Sequence, residues 1–424
     1  MNPKRILISL AAFLLIAGVT VGLSLLTPAR KLASAAVDLP RITRLTCLQS
    51  GDAYIFAPGA YNASAAKDAS GNSGGFLFTS DGGATFASEI GGPFTLRADS
   101  LAVAGVYAAG PVRTFAPCAP ASAAGTILVT DPGDAELIIT NSDANEAIVD
   151  LTLLGPDGEI PAVGARGIAV APGVTRRIAL SVLAPEGPVG VSFSASQGRV
   201  AMAAVNVEGR AARFIGTTRP GTDLLIGGVP PGAPGVQVII TNPFEERADI
   251  TVSALGATST YELSPTADLS VEPMSTVAVD LGDALGGEAS AIRVQATQEI
   301  SAGVVVSGAT GSPATLLPSE PAAHLAATTQ GGAVQLSNPG STPIVASIEA
   351  SETAPAVEVR INPGTTVVHA VPVMPTRPVT VDADGPVVAS TATTDATGTI
   401  IIPLGQIVDD PREPGSTELS PHLR

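Results

Sequence analysis

A short aliphatic phrase that ends in a hydroxyl residue and an asparagine occurs three times in this chain. The copies occupy residues 137–142, 238–243 and 334–339, and their asparagines are Asn141, Asn242 and Asn338. The copies are spaced about one hundred residues apart, which is the length of an immunoglobulin-like β-sandwich domain. The repeat therefore predicts tandem domains of that size.

The chemistry of the phrase favours a β-strand followed by a turn. Branched and long aliphatic side chains pack well on a pleated sheet, whereas an Asn side chain bonds nearby backbone groups and so ends a strand. Pro243 and Pro339 then exclude helix at the preceding residue. The 45 Gly and 36 Pro of the 424-residue chain add frequent turns, as expected of an all-β protein. We predict that Asn141, Asn242 and Asn338 are structural turn residues.

Each copy of the phrase belongs to a similar series of short apolar runs separated by turn residues, with seven or eight runs in about one hundred residues. This pattern predicts an all-β fold of tandem immunoglobulin-like or fibronectin-like sandwiches. Repeat 1 comprises residues 121–220, repeat 2 residues 221–320 and repeat 3 residues 321–408, and residues 409–424 form a polar tail that we expect to be disordered. Because closing strands run directly into the next repeat, we expect a semi-rigid rod.

The N-terminal segment carries the signal of a membrane anchor. Lys4 and Arg5 precede an apolar stretch, residues 6–26, that is long enough to cross a bilayer as a helix. Residues 33–35, Ala-Ser-Ala, form the alternative signal, a small-residue cleavage site. We predict that residues 1–35 are an uncleaved anchor or a cleaved signal peptide, and both outcomes place the body beyond the membrane.

Residues 41–120, the first unit, differ in chemistry from the three repeats. They contain both cysteines of the chain, Cys47 and Cys118, and an exported protein with two cysteines favours a disulfide between them. The alternative is two unpaired buried thiols. The first unit also holds Tyr54, Tyr61 and Tyr107, which would stack on a glycan if exposed and form a core if buried.

Two short motifs in the first unit resemble known sites. Residues 71–75, Gly-Asn-Ser-Gly-Gly, resemble the nucleophile loop of chymotrypsin-like proteases, with Ser73 as the candidate nucleophile. In that fold the histidine base precedes the serine, whereas the three histidines here, His324, His369 and His422, all follow it. A flexible Gly/Ser loop is the simpler interpretation.

The second motif, residues 79–86, looks like the Asp-box of sialidase propellers. That motif is a structural turn, so Asp81 and Gly83 are predicted to join a hairpin between residues 76–79 and 85–87. The resemblance implies a turn and no active site.

Metal, cofactor and nucleic-acid signals are weak. Asp131 and Asp134 flank Pro132-Gly133, and Asp382 and Asp384 precede Gly385-Pro386. Such pairs either bind Ca²⁺ or remain solvated. The sequence has no zinc spacing and no nucleotide-binding loop after a strand. The net charge of −16 disfavours nucleic acid as a partner. We therefore predict no cofactor and no catalytic residue.

With its anchor, cysteine-containing unit and three repeats, the chain resembles an uncharacterised family of actinobacterial envelope proteins. Members of that family have one N-terminal membrane segment and an extracytoplasmic body that is a domain of unknown function. Each repeat is also similar to the fibronectin-like sandwiches of bacterial adhesins, although the Cys-Trp-Cys hallmark is absent because the chain has no Trp. The resemblance implies no activity.

These features together predict a non-enzymatic protein of the cell envelope that serves as a scaffold, spacer or partner-binding accessory. The membrane, through the N-terminal helix, and envelope proteins or cell-wall glycan are the expected partners. The first alternative is a glycan-binding module that uses the first unit. The second alternative, which the sequence favours less, is a hydrolase.

Overall fold

The computed structural model describes residues 43–66, 76–100, 102–108, 114–184, 186–208, 211–307, 313–350, 355–372, 376–395 and 398–407. These ranges consist of β-strands and loops, with short 3-10 helices at Pro132–Asp134, Leu180–Val182, Ser264–Thr266 and Asp283–Leu285. The prediction of an all-β fold is confirmed. Every strand ladder among the described residues joins strands of the same sequence range, either the first unit or one of the repeats.

The first unit contains eight strands in two four-stranded sheets. The strands are β1 (Thr43–Cys47), β2 (Gly51–Ala57), β3 (Tyr61–Ala65), β4 (Phe76–Ser80), β5 (Gly83–Ile90), β6 (Phe94–Ala98), β7 (Val103–Ala108) and β8 (Thr114–Pro117). One sheet has the order β1-β6-β3-β4 and the other β5-β2-β7-β8. Residues of both sheets form one hydrophobic cluster.

Repeat 1 has the same two-sheet plan. Its strands are β9 (Ala124–Val129), β10 (Ala135–Thr140), β11 (Ala147–Gly155), β12 (Gly158–Ile160), β13 (Ile168–Val170), β14 (Thr175–Ala179), β15 (Val189–Gln197), β16 (Ala201–Glu208) and β17 (Ala211–Ile215). The sheets have the orders β14-β10-β16-β17 and β12-β11-β15-β9, and β13 also pairs with β11. The aliphatic phrase forms β10, in the middle of the first sheet.

In repeats 2 and 3, one long strand takes part in both sheets. Repeat 2 contains β18 (Gly221–Val229), β19 (Gly235–Asn242), β20 (Ala248–Leu255), β21 (Thr260–Glu262), β22 (Ser270–Val271), β23 (Ser275–Asp280), β24 (Ser290–Ser307) and β25 (Ala314–Leu316). The first half of β24 pairs with β18 and β20, and its second half pairs with β19 and β25.

Repeat 3 contains β26 (Ala322–Thr329), β27 (Gly332–Ser337), β28 (Ile344–Glu349), β29 (Val357–Ile361), β30 (Thr366–Val371), β31 (Arg377–Asp395), β32 (Gly398–Pro403) and β33 (Gly405–Gln406). Its long strand, β31, pairs with β26 and β28 and then with β27 and β32.

The strands formed by the aliphatic phrase are buried on both faces. Leu137 and Ile139 of β10 lie in the core of repeat 1. Ile138, on the opposite face, packs with Leu48 and Ala116 of the first unit. A continuous apolar run is typical of a strand covered on both sides. The outer faces of the sheets are therefore surfaces through which neighbouring units contact each other.

The four units also contact each other in a closed order. Each contains an antiparallel hairpin near its C-terminal end, namely β7–β8, β16–β17, β24–β25 and β31–β32, and we call the second strands of these hairpins, β8, β17, β25 and β32, the closing strands. β17 contacts β8 and β25, and β32 contacts β25 and β8. The first unit thus touches both repeat 1 and repeat 3, and all four belong to one compact unit, Pro40–Pro411. The expected rod is wrong, because apolar outer faces gain stability by packing on each other.

Several sequence predictions concern residues outside the described part of the chain. These are the anchor or signal segment at residues 1–35, the tail at 409–424, Ser73 and His422. In the described ranges, no helix combines the length and the hydrophobicity that crossing a membrane requires.

Candidate functional site

The closing strands surround a pocket of 230 Å³ to which all four units contribute. Its lining residues are Thr114, Phe115 and Pro117 of the first unit, Phe214, Gly216 and Thr217 of repeat 1, Gly227, Pro313, Ala314, Thr315, Leu316, Leu317, Pro318 and Ser319 of repeat 2, and Thr399, Ile400, Ile401 and Pro403 of repeat 3. We call this the central pocket.

Glycine allows close approach around the central pocket. A Cβ atom on Gly227 would lie 2.5 Å from Cγ1 of Val388, and one on Gly303 would lie 3.0 Å from Cδ1 of Leu128. Both distances are shorter than an ordinary carbon–carbon contact, so a side chain at either position would require the neighbouring side chain of repeat 3 or repeat 1 to shift.

The described residues that line the central pocket carry no ionisable side chain. Their polar side chains are hydroxyls, and two of these already have partners. Thr217 donates to the carbonyl oxygen of Met202 at 2.6 Å, and Thr399 shares a 3.0 Å hydrogen bond with Thr394. The other lining residues are glycine, proline, aliphatic or aromatic. Such a wall can bind apolar groups.

A second pocket of 310 Å³ adjoins the central pocket and lies between the first unit and repeat 3. Phe115, Pro117, Ser319 and Pro403 line both pockets. The predicted disulfide between Cys47 and Cys118 is present, and Cys118 lines the second pocket. The disulfide therefore links the end of β1 to the residue that follows closing strand β8.

The three asparagines of the repeated phrase have equivalent hydrogen bonds. Each is fully buried. In repeat 1 the Asn141 side-chain amide donates to the carbonyl oxygens of Asn145 at 2.7 Å and Val170 at 2.9 Å, and its Oδ1 accepts from the amide of Asp143 at 3.0 Å.

Asn242 and Asn338 bond in the same way. Their side-chain amides donate to residues four positions later, Glu246 at 2.6 Å and Thr342 at 2.8 Å. Each also donates to a second carbonyl oxygen and accepts from the amide two positions later. All three side chains are thus fully used in holding the loop that follows the strand.

The hydroxyl residue of the phrase takes part in contacts between repeats. In repeat 2, Thr241 bonds Thr276 at 2.9 Å, and Thr276 Oγ1 donates to the carbonyl oxygen of Leu154 in repeat 1 at 2.7 Å. In repeat 3, Thr366 Oγ1 donates to the carbonyl oxygen of Leu255 in repeat 2 at 2.6 Å. The equivalent threonines Thr276 and Thr366 therefore attach repeats 2 and 3 to the preceding repeat.

The tyrosines considered for glycan stacking lie in the interior. Tyr54, Tyr61 and Tyr107 are only 1%, 3% and 9% exposed. Tyr54 donates a hydrogen bond to the carbonyl oxygen of Ala327 in repeat 3, and burial, followed by the proximity of Tyr107 and Tyr61, raises its pKa above the ordinary value. These rings are not available to stack on a sugar.

His324 and Asp382 form a pair on an exposed sheet face of repeat 3. Their Nδ1 and Oδ1 atoms lie 2.8 Å apart, and the side chains are 57% and 61% exposed. Ser347 pairs with Asp382 on the other side, so the carboxylate lies between the hydroxyl and the imidazole. A Ser-His-Asp triad requires the imidazole in the middle. Ser347, Asp382 and His324 are therefore not arranged in the order that hydrolysis by such a triad needs. The histidine at position 369 lies elsewhere, on β30 in the other sheet.

The hairpin expected at Asp81 and Gly83 is wrong. β4 and β5 occur near the predicted places, yet β4 pairs with β3 and β5 pairs with β2, in different sheets. The turn between them leads from one sheet to the other, and Ser80 Oγ accepts a 3.3 Å hydrogen bond from the Gly82 amide. The turn residues were recognisable from local chemistry, whereas the pairing partner depends on the whole unit.

The two candidate calcium pairs have other partners. Asp131 forms an ion pair with Arg213 at 3.4 Å, and Asp134 belongs to a 3-10 turn. Asp382 bonds His324, and Asp384 accepts from the Val345 amide at 2.8 Å. Across the described ranges, no group of three or more His, Cys, Asp or Glu residues is placed to hold a metal ion.

Three further pKa shifts in repeat 2 have structural causes. Hydrogen bonding to Arg293 lowers the pKa of Asp223, and Asp223 in turn raises the pKa of Arg293. Burial and a hydrogen bond to Glu288 raise the pKa of Tyr261 to about 12. None of these three groups lines the central pocket.

The sequence did not identify the central pocket as a site. One sequence signal pointed to part of it: residues 100–115 of the first unit resemble residues 199–215 of repeat 1, and these two segments contain the β7–β8 and β16–β17 hairpins. Phe115 and Phe214, which both line the pocket, stand in those hairpins.

Comparison with known proteins gives a family and no activity. The model of a family of unknown function (DUF5719) matches residues 101–382, which is more than half of the chain. The match begins at the last hairpin of the first unit and ends within β31. No curated protein and no solved structure matches the chain. The chain belongs to this family of unknown function.

Proposed function

We propose that this protein is a non-catalytic extracytoplasmic component of the cell envelope that acts as a scaffold or partner-binding accessory. The observation that carries the proposal is the closed order of the closing strands around a pocket with an uncharged wall. A rigid body with an apolar recess presents surfaces to other molecules. It lacks convergent acid, base and nucleophile groups at that recess.

The proposal includes the architecture and the location. Each repeat would be an immunoglobulin-like or fibronectin-like sandwich, as supported by its length and its two sheets around a common core. The apolar stretch at residues 6–26 would hold the protein in the membrane, or residues 1–35 would be removed as a signal peptide. A disulfide suits the oxidising environment outside the cytoplasm.

Contacts between units favour a scaffold over a flexible spacer. The first unit is attached to repeat 3 through Tyr54, and repeats 2 and 3 are attached to the preceding repeats through Thr276 and Thr366. Bonds of this kind fix the relative positions of loops on different units. Partners that bind several loops then meet a preorganised surface.

Cell fractionation combined with crosslinking tests this proposal. The full-length protein is expressed in its native host with a photo-crosslinking amino acid at an exposed position such as Val163 or Val182. We expect the protein in the membrane or secreted fraction, with crosslinks to discrete envelope proteins. Recovery in the cytosol would contradict the location, and hydrolysis of cell-wall or peptide substrates by the purified protein would contradict the non-catalytic role.

Cell-wall glycan remains the alternative partner. Its original support, stacking on Tyr54, Tyr61 and Tyr107, is weakened by the burial of these rings. Crosslinks to glycan fragments without any protein partner would favour this alternative.

A further inference from the structure

The central pocket is larger than a cavity that accepts benzene. It measures 230 Å³, whereas an engineered apolar cavity of about 150 Å³ stays dry and binds benzene. Compact molecules slightly larger than benzene therefore match its size.

The wall determines the chemical class of the occupant. Of the residues that the structure describes, none that lines the pocket is charged, in a chain that carries 60 Asp, Glu, Lys and Arg residues. A charged ligand would lose its hydration without gaining an opposite charge, which is costly in an apolar site. Phe115, Phe214, Leu316 and Ile401 supply apolar contacts from all four units.

The backbone conformation at position 216 does not require glycine, so the open space beside Gly216 is not a consequence of a backbone constraint. Its φ lies outside the left-handed region that favours glycine, so other residues can adopt its backbone conformation. A Cβ atom there would meet Cδ1 of Leu317 at 3.2 Å and Cε1 of Phe214 at 3.7 Å, with no third contact within 4 Å. Both neighbours line the pocket, so a larger side chain at position 216 would extend into it.

We propose that the central pocket binds one uncharged, apolar small molecule slightly larger than benzene, in contact with all four closing strands. A ligand there restores dispersion contacts that an empty apolar cavity lacks. It also connects units that are distant in sequence, so it stabilises the closed order of the four units. The proposal depends on the pocket itself and holds whether or not the protein resides in the envelope.

Photolabelling with 3-phenyl-3-(trifluoromethyl)diazirine tests the proposal, because this probe is uncharged and slightly larger than benzene. The purified protein, comprising the whole chain, is irradiated in solution with the probe, and labelled residues are mapped by mass spectrometry. We expect labelling at residues 114–117, 214–217, 313–319 and 399–403, with competition by excess trifluorotoluene. The para-carboxylate of the same probe should label these segments at least about tenfold less, because it brings an unpaired charge.

Two leucine substitutions provide the matched comparison. Gly216→Leu fills the pocket and should reduce its labelling at least about tenfold. Gly235→Leu is the control, because Gly235 lies on β19 outside the pocket and a Cβ there would meet only Ser307, at 3.4 Å. Its labelling should equal that of the wild type. If Gly216→Leu does not fold, Thr114→Phe, at another lining position, replaces it.

Two results would overturn the proposal. One is labelling confined to exposed apolar residues, with none in the four pocket segments. The other is pocket labelling that is equal in the wild type and the filled variant. Neither result bears on the cellular location or on the crosslinked partners, so failure here is distinguishable from failure of the envelope role.

Discussion

The hydroxyl of Tyr54 donates a 2.6 Å hydrogen bond to the carbonyl oxygen of Ala327, which lies 273 positions later in the chain. Tyr54 is in β2 of the first unit and Ala327 is in β26 of repeat 3. Their contact joins the first unit to the last repeat. It therefore reports directly on the closed order of the four units.

Tyr54→Phe should weaken this closure while leaving the ring in place. The variant loses one buried hydrogen bond and leaves the carbonyl oxygen of Ala327 with one partner fewer, so we expect the free energy of unfolding to fall by about 1–2 kcal/mol. Hydrogen exchange should become faster in β2 and β26. Tyr61→Phe is the control, because Tyr61 bonds Thr85 within the first unit. Equal acceleration of β26 in both variants would contradict the assignment.

Thr276→Val tests the attachment of repeat 2 to repeat 1. Valine keeps the shape of threonine but cannot donate to Leu154, so we expect a loss of about 1–3 kcal/mol in denaturant unfolding. Thr175 occupies the equivalent place in repeat 1 and bonds Thr140 at 2.9 Å. Because no bond to a preceding unit is involved there, Thr175→Val should cost less. A larger loss for Thr175→Val than for Thr276→Val would argue against an attachment role.

Asn242→Ala tests the turn that follows the repeated phrase. The substitution removes three hydrogen bonds from a fully buried position and leaves backbone groups without partners, so we expect a loss of about 3 kcal/mol. Asn362→Ala is the comparison, because the Asn362 side chain is exposed. Urea unfolding followed by circular dichroism measures both. Similar losses for the two variants would show that burial of the amide does not matter.

How much of this could be predicted from the sequence depends on the range of the interactions. The turn at each asparagine follows from chemistry within a few residues, and the disulfide follows from having two cysteines in a chain expected to be exported. The same local chemistry located the turn near Asp81. It could not reveal that β4 and β5 pair in different sheets, because pairing depends on distant strands.

The arrangement of the units was harder to predict for a related reason. The run Leu137, Ile138 and Ile139 indicates burial on both faces, although the sequence does not reveal which unit covers Ile138. The central pocket arises where four hairpins far apart in sequence converge, and its residues are individually ordinary. In the sequence, only the similarity between residues 100–115 and residues 199–215 linked any of these pocket residues to each other.

The pair formed by Asp223 and Arg293 predicts a pH-dependent contribution to stability. Arg293 donates to both carboxylate oxygens, at 2.7 and 2.5 Å, and lowers the pKa of Asp223. Because the folded-state pKa is below the unfolded value of about 4, the contribution is fully present above pH 4 and is lost as pH falls through the lowered pKa.

Asp223→Asn measures this contribution. The two side chains are 34% and 43% exposed, so water screens the pair and the loss at pH 7 should not exceed about 1 kcal/mol. The difference in unfolding free energy between wild type and variant should shrink as pH falls below about 4. A difference that stays constant down to pH 2 would mean that the carboxylate charge makes no contribution.

The disulfide gives a prediction that can be tested with a reducing agent alone, because Cys47 and Cys118 are the only cysteines in the sequence. The bond spans 71 positions, and a crosslink of that length removes denatured-state entropy worth about 4 kcal/mol in the chain-entropy model. A reducing agent should therefore lower the urea midpoint of the wild type. It should have no effect on the variant that combines Cys47→Ser with Cys118→Ser.

The place of the bond predicts where reduction acts first. Cys118 directly follows closing strand β8, and the neighbouring Thr46 and Ala119 exchange backbone hydrogen bonds of 2.8 and 3.1 Å. Without the crosslink, these two bonds and local packing join β1 to the segment that follows β8, so hydrogen exchange in β1 and β8 should accelerate more than in β25. Since β8 lines the central pocket, its loosening should also reduce photolabelling there. Uniform acceleration of exchange in all four closing strands would instead indicate that the disulfide stabilises the whole body without a local effect on the pocket.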